Sequence, residues 1–149
     1  MILYVDTSAL VKRYFREPYS DEVLSRWQSA VQIVTSAVAY AETMASIYRK
    51  KREADLADAL TRDLIGLFRR DWESFIRVDV TSELNQYLDE LVEKYPLRGF
   101  DAIHLASAKV VCERLAEDFV FACFDDRLAR AARSEHLQTF PPGDAATGG

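Results

Sequence analysis

Short, continuously apolar runs alternate with helically spaced apolar residues along the whole chain. Residues 2–5 form an unbroken apolar run ended by Asp6, the pattern of a strand buried on both faces. Leu10, Val11, Tyr14 and Phe15 follow at helical spacing until Glu17-Pro18 stops them. Ser20 reads as the N-cap of a second helix, with Asp21 and Glu22 in its first turn and Val23, Leu24 and Trp27 facing inward. Residues 31–34 make a weaker strand, and Thr35 or Ser36 caps a helix expected to reach Lys51. Leu56, Leu60, Leu64, Leu67 and Phe68 mark an amphipathic helix within residues 54–72. Residues 75–80 read as a strand, and Leu84, Leu88, Leu91 and Tyr95 mark a helix stopped by Pro96. Residues 100–115 are apolar on nearly every side, so that helix is expected to be buried. Residues 119–124 are the second strong strand, and residues 128–132 belong to a short helix after it. Such alternation predicts an α/β domain of three layers, with a mainly parallel central sheet flanked by helices.

Composition narrows this without changing it. A chain of 149 residues suits one domain, with 49% hydrophobic and 29% charged residues as in ordinary globular proteins. The domain is expected over residues 1–140, with residues 141–149, rich in Pro, Gly, Ala and Thr, as a flexible tail. No basic leader precedes the first apolar run, and no apolar stretch approaches the roughly 20 residues of a membrane span. Cys112 and Cys123 lie in apolar runs without metal-ligand spacing, as core thiols of a reducing compartment would. A cytoplasmic protein with no membrane contact is the expectation. Net charge is −5, from 19 basic and 24 acidic residues, which argues against a nucleic-acid partner unless the charges are segregated.

Four acids stand out by position. Asp6 and Asp125 follow the two strong strands, where ligands bind in open parallel sheets. Glu42 is the only charged residue between Ser36 and Tyr48, and Asp101 the only one between Gly99 and Ala108. Helix capping alone would explain Asp6, Asp101 and Asp125. Glu42, read as a mid-helix acid, needs a partner, solvent or a cation. Two carboxylates 4 Å apart repel by about 4 kcal/mol at an effective dielectric near 20, so four converging acids demand a compensating charge. Oxygen donors without clustered His or Cys point to Mg²⁺ or Mn²⁺ rather than zinc.

These residues carry a resemblance. Asp6-Thr7-Ser8-Ala9-Leu10 after an apolar strand, Glu42 in a small-residue helix, Leu97-Arg98-Gly99-Phe100-Asp101-Ala102-Ile103-His104-Leu105-Ala106 and Phe124-Asp125-Asp126-Arg127-Leu128 together resemble PIN-domain ribonucleases, most of all VapC-type toxins. The likeness runs from Met1 to Ala132. It implies a metal-dependent endoribonuclease cleaving single-stranded RNA, with Asp6, Glu42, Asp101 and Asp125 as catalytic, metal-binding acids. It also implies a cognate antitoxin partner and a homodimer. One position departs: many relatives carry Thr or Ser where this chain has Cys123, leaving Thr7 or Ser8 to take over the hydroxyl's part.

Around the acids, Lys12, Arg13 and Arg16, and the run Arg49, Lys50, Lys51 and Arg52, are candidates for gripping RNA phosphates, with Tyr14, Phe15 and Tyr48 as stacking candidates. His104, one helical turn beyond Asp101, reads as a hydrogen-bonded core residue rather than a general base. Competing readings are a PIN-fold binding module without catalysis and a structure-specific DNA nuclease. A haloacid-dehalogenase-type phosphatase would need an acid two positions after Asp6, where Ser8 stands.

Overall fold

Ile2, Leu3, Tyr4 and Val5 are all buried and form β1 (Ile2–Val5), the central strand of the sheet. Successive side chains of a strand point to opposite faces, and the two faces of β1 seed two different cores. Ile2 and Tyr4 pack with Leu91, Leu105 and Leu128 on one side, while Leu3 and Val5 pack with Leu10, Ile47 and Phe68 on the other. In this computed structural model, which describes residues 1–143, the result is a three-layer α/β domain.

The elements follow as α1 (Thr7–Leu10), α2 (Ser20–Ser29), β2 (Gln32–Ser36), α3 (Ala39–Ala54), α4 (Asp58–Ser74) and β3 (Ile76–Val78). After them come α5 (Asn85–Lys94), α6 (Gly99–Arg114), β4 (Phe119–Ala122), α7 (Asp126–Ser134) and β5 (Gln138–Phe140). The sheet order is β3-β2-β1-β4-β5, and every pairing is parallel. Val5 stands opposite Ala122, so β1 and β4 end flush and their following residues leave the same edge.

Several boundaries differ from the sequence expectation, each for a physical reason. Ser20 is inside α2 rather than capping it: Tyr19, at φ 72°, is the N-cap residue, and the Ser20 hydroxyl bonds Phe15 and Glu17 backbone instead. Thr35 and Ser36 extend β2 instead of capping α3, because the Thr35 hydroxyl donates to the Val5 carbonyl at 2.6 Å and makes a buried polar strand residue affordable. α3 therefore starts at Ala39, which puts Glu42 in its first turn and not in mid-helix. β5 adds an edge strand that the apolar pattern did not mark. α6 is buried through Ala102, Leu105, Ala106, Ala108, Val110 and Val111, as its all-round apolar sequence predicts. Pro141, Pro142 and Gly143 leave β5 as a loop; the rest of the tail expected over residues 141–149 lies outside the described residues.

Candidate active site

All four acids sit at the amino-terminal ends of helices that begin at one sheet edge. Asp6 is the N-cap residue of α1 and Asp125 that of α7, whereas Glu42 and Asp101 occupy the first turns of α3 and α6. Helix N-termini carry partial positive charge, which offsets part of the repulsion between the acids. Asp6, Glu42, Asp101 and Asp125 line a single cleft of about 490 Å³. Capping and site-building are therefore the same placement for Asp6 and Asp125, each of which spends one oxygen on the cap. Asp6 Oδ1 accepts from the Ala9 amide at 2.9 Å and from Ser8 Oγ at 2.7 Å. Asp125 Oδ1 accepts from the Leu128 amide at 2.9 Å. Asp101 caps nothing; its Oδ2 takes the Arg98 Nε at 3.0 Å.

Glu42 finds the partner its sequence position demanded. Its Oε1 accepts from Thr7 Oγ1 at 2.8 Å and from His104 Nε2 at 2.8 Å. The His104 ring is buried in α6, with Nδ1 2.9 Å from the hydroxyl of buried Tyr4 on β1. A chain of hydrogen bonds thus runs from the central strand through His104 to Glu42. Ser8 makes a second link. Its hydroxyl donates to Asp6 and accepts from the Phe124 amide at 2.9 Å, tying the end of β1 to the segment after β4. The thiol of Cys123 lies 3.4 Å from the Asp125 amide, and burial pushes it well above its ordinary pKa, so it stays neutral.

The two best-anchored acids are tuned in opposite senses. Burial lifts the Asp6 carboxyl above its ordinary value, overcoming His104, Ser8 and the Ala9 amide, which pull it down. Burial works on Glu42 in the same direction, but the hydrogen bond and charge of His104, with Thr7 and Arg98, bring it below its ordinary value.

Arg98 is the counter-charge at the open side. Besides its bond to Asp101, its Nη2 lies 3.9 Å from Asp125 Oδ2, and its side chain is 79% exposed. Among the described residues, no three carboxylate, histidine or thiol groups are drawn together as a ready coordination shell. The donor set nevertheless fits a hard divalent cation: the four acids offer only oxygens, and one of them is a desolvated carboxylate.

The PIN-domain family profile matches residues 3–134. The chain belongs to the PIN-domain family. It is 31% identical over 144 residues to "Ribonuclease VapC45" of Mycobacterium tuberculosis, covering 94% of this chain and 95% of that one. Its fold matches FitAcB of Neisseria gonorrhoeae with a TM-score of 0.69 at 16% identity, over 94% of this chain and 96% of the other. A toxin-antitoxin complex from Klebsiella pneumoniae matches with a TM-score of 0.55 at 19% identity, over 79% and 83% of the two chains.

Sequence reasoning named the four acids, offered Thr7 or Ser8 as the site hydroxyl and read His104 as a hydrogen-bonded core residue, but it gave neither the pairing of His104 with Glu42 nor the part of Arg98 in this PIN-domain cleft. Arg98 lies three residues before Asp101, and His104 three residues after it, the one local signal either carries. Most of the expected phosphate-gripping residues are engaged elsewhere. Lys12 and Lys50 pair with Glu17, Arg13 with Asp71, Arg16 with Asp21 and Lys51 with Asp58. Tyr14 is a core residue that donates to Asp71, not an exposed stacking platform.

Proposed function

We propose that this PIN-domain protein is a Mg²⁺- or Mn²⁺-dependent endoribonuclease that cuts single-stranded RNA and acts as the toxin of a toxin–antitoxin pair. The observation that carries the reading is the convergence of four acids, from four separate segments, on one cleft beyond the ends of β1 and β4. Kinship with a VapC ribonuclease supports the activity, and the shared fold with a toxin-antitoxin complex supports a small antitoxin partner. A cytoplasmic homodimer completes the proposal; no helix among the described residues is long and apolar enough to cross a membrane.

Asp6, Asp101 and Asp125 would hold the cation, with Glu42 beside them. When bound, it supplies a water of lowered pKa and positive charge against the phosphate. The remaining work belongs to the chain. Thr7 and His104 keep the Glu42 carboxylate ionised and fixed in orientation. Ser8 holds Asp6 against the β4 end of the cleft. Arg98, already within reach of two of the acids, is placed to meet a substrate phosphate with a forked pair of donors.

The test is cleavage of single-stranded RNA by the purified protein with Mn²⁺ or Mg²⁺. EDTA should abolish cutting. Asp101→Asn should lower the rate by several kcal/mol of barrier, about 10²- to 10³-fold, at an unchanged melting temperature. Cleavage that survives EDTA, or survives Asp101→Asn, would refute the assignment.

A further inference from the structure

The cleft proposed to cut RNA is lined by acids, yet a polyanion must lie across it. Of the basic residues nearest to it by sequence, only Arg49, on the cleft wall, and Arg52 escape pairing with Glu17, Asp21, Asp58 or Asp71 among the described residues. A different segment escapes it as well. α7 carries Arg127, Arg130 and Arg133 against one acid, Asp126, in an otherwise acidic chain. Among the described residues, Arg127 and Arg130 enter no ion pair, and Arg130 Nε donates only to the Asp126 carbonyl within its own turn. Both side chains are exposed.

The surface beside α7 is continuous with the cleft. Arg98, Asp101 and Asp125 line both the acidic cleft and a second depression that adds Asp126 and Arg127. Asp126 also borders a third, a groove of about 490 Å³ walled by Tyr19, Phe124, Arg130 and Pro141. Tyr19 is unusual here. It is an aromatic residue in the left-handed region, at φ 72°, and 51% exposed. Its ring rests 5.4 Å from that of Phe124, which in turn carries Lys12 Nζ at 4.5 Å from its centroid. An exposed aromatic face next to unpaired guanidinium groups is the composition of a single-strand platform, where bases stack and phosphates meet cations.

We infer that the strand runs from the cutting site along α7, with phosphates on Arg127 and Arg130 and a base on Tyr19. This track rests on the ribonuclease reading and adds to it the side on which the substrate is held. Arginine with a half-exposed tyrosine favours nucleic acid over an apolar peptide as the occupant.

The experiment uses the whole chain and a fluorescein-labelled single-stranded RNA of about a dozen nucleotides, a span within the usual single-strand site sizes. Anisotropy is read in EDTA, so that binding is separated from cleavage, and across a salt series. For the double variant Arg127→Ala/Arg130→Ala, the dissociation constant should rise by about tenfold or more. The slope of log affinity against log salt should become shallower by about 1.4, the value for two single-strand phosphates. Tyr19→Ala should weaken the same binding and Tyr19→Phe restore it. With Mn²⁺, the double variant should raise KM more than it lowers kcat, at the wild-type melting temperature. A double variant that binds and cuts like wild type overturns the track and leaves the ribonuclease reading standing. RNA that wild type binds without cutting, and that the double variant binds more weakly, removes that reading and leaves α7 as an RNA-binding surface; neither binding nor cutting removes both. A double variant with normal RNA binding that no longer retains its antitoxin would make α7 a protein interface and also overturn the track.

Discussion

The two sides of the acidic cleft are built differently. On one side, Asp6 and Glu42 are set by groups that belong to the folded interior: Ser8, the Ala9 amide, Thr7, and His104 backed by Tyr4. On the other, Asp125, capped by the Leu128 amide, and Asp101 both face Arg98, a side chain mostly in water. Folding itself orders the first side, since His104 and Tyr4 are buried and would otherwise be left unsatisfied. The second side balances its charges with the exposed guanidinium of Arg98, which a divalent ion could displace from the carboxylates and a substrate phosphate could then engage. One half is anchored in the fold and the other lies open to solvent.

This comparison is broken most severely by removing what anchors the first half. His104→Ala strips Glu42 and Tyr4 of a buried partner and leaves a cavity beside β1, so stability should fall by about 1–3 kcal/mol, read from denaturant midpoints. The matching change on the open side, Arg98→Ala, should leave the midpoint where it was. Equal losses from both would show that the two sides are not different in kind.

A smaller effect sharpens the contrast within the anchored half. In metal-free buffer near neutral pH, Asp6→Asn should raise the melting temperature and Glu42→Gln should lower it. The signs follow from the opposite tuning. The Asp6 carboxyl titrates higher folded than unfolded, so its contribution to stability is present at acid pH and lost as pH rises through the folded value. Glu42 titrates lower folded than unfolded, so its contribution is present above the unfolded value and lost as pH falls through the folded one. Both differences from wild type should therefore shrink on acidification. Thermal melts of the two variants across pH 3 to 7.5, a window spanning the ordinary carboxylate range, check this; shifts of the same sign would contradict it.

How much of this could be read from the chain depends on range. β1 and β4 were legible because a strand buried on both faces must be continuously apolar, and the mostly apolar run of α6 from Ala102 to Val111 announces a buried helix. The start of α3 was not legible, because Thr35 and Ser36 look like caps and become strand residues only through a bond to Val5, thirty residues away. β5 escaped because three edge residues, two of them polar, carry no period. The acids themselves were visible as charges in apolar company. Their partners were not: His104 lies 62 residues from Glu42, and nothing local in either segment marks the pair. The unpaired arginines of α7 were hidden for the opposite reason, since a basic helix end looks ordinary until the structure shows which other basic residues are already spent.

The central claim is that four acids share one cation-holding cleft, and calorimetric titration of Mn²⁺ into the metal-stripped protein tests it most directly. The account predicts saturable binding by wild type that weakens at least about tenfold, or 1.4 kcal/mol, in Asp6→Asn and again in Asp101→Asn, although these residues lie on opposite sides of the cleft. No binding by wild type, or equal binding by all three proteins, would contradict it.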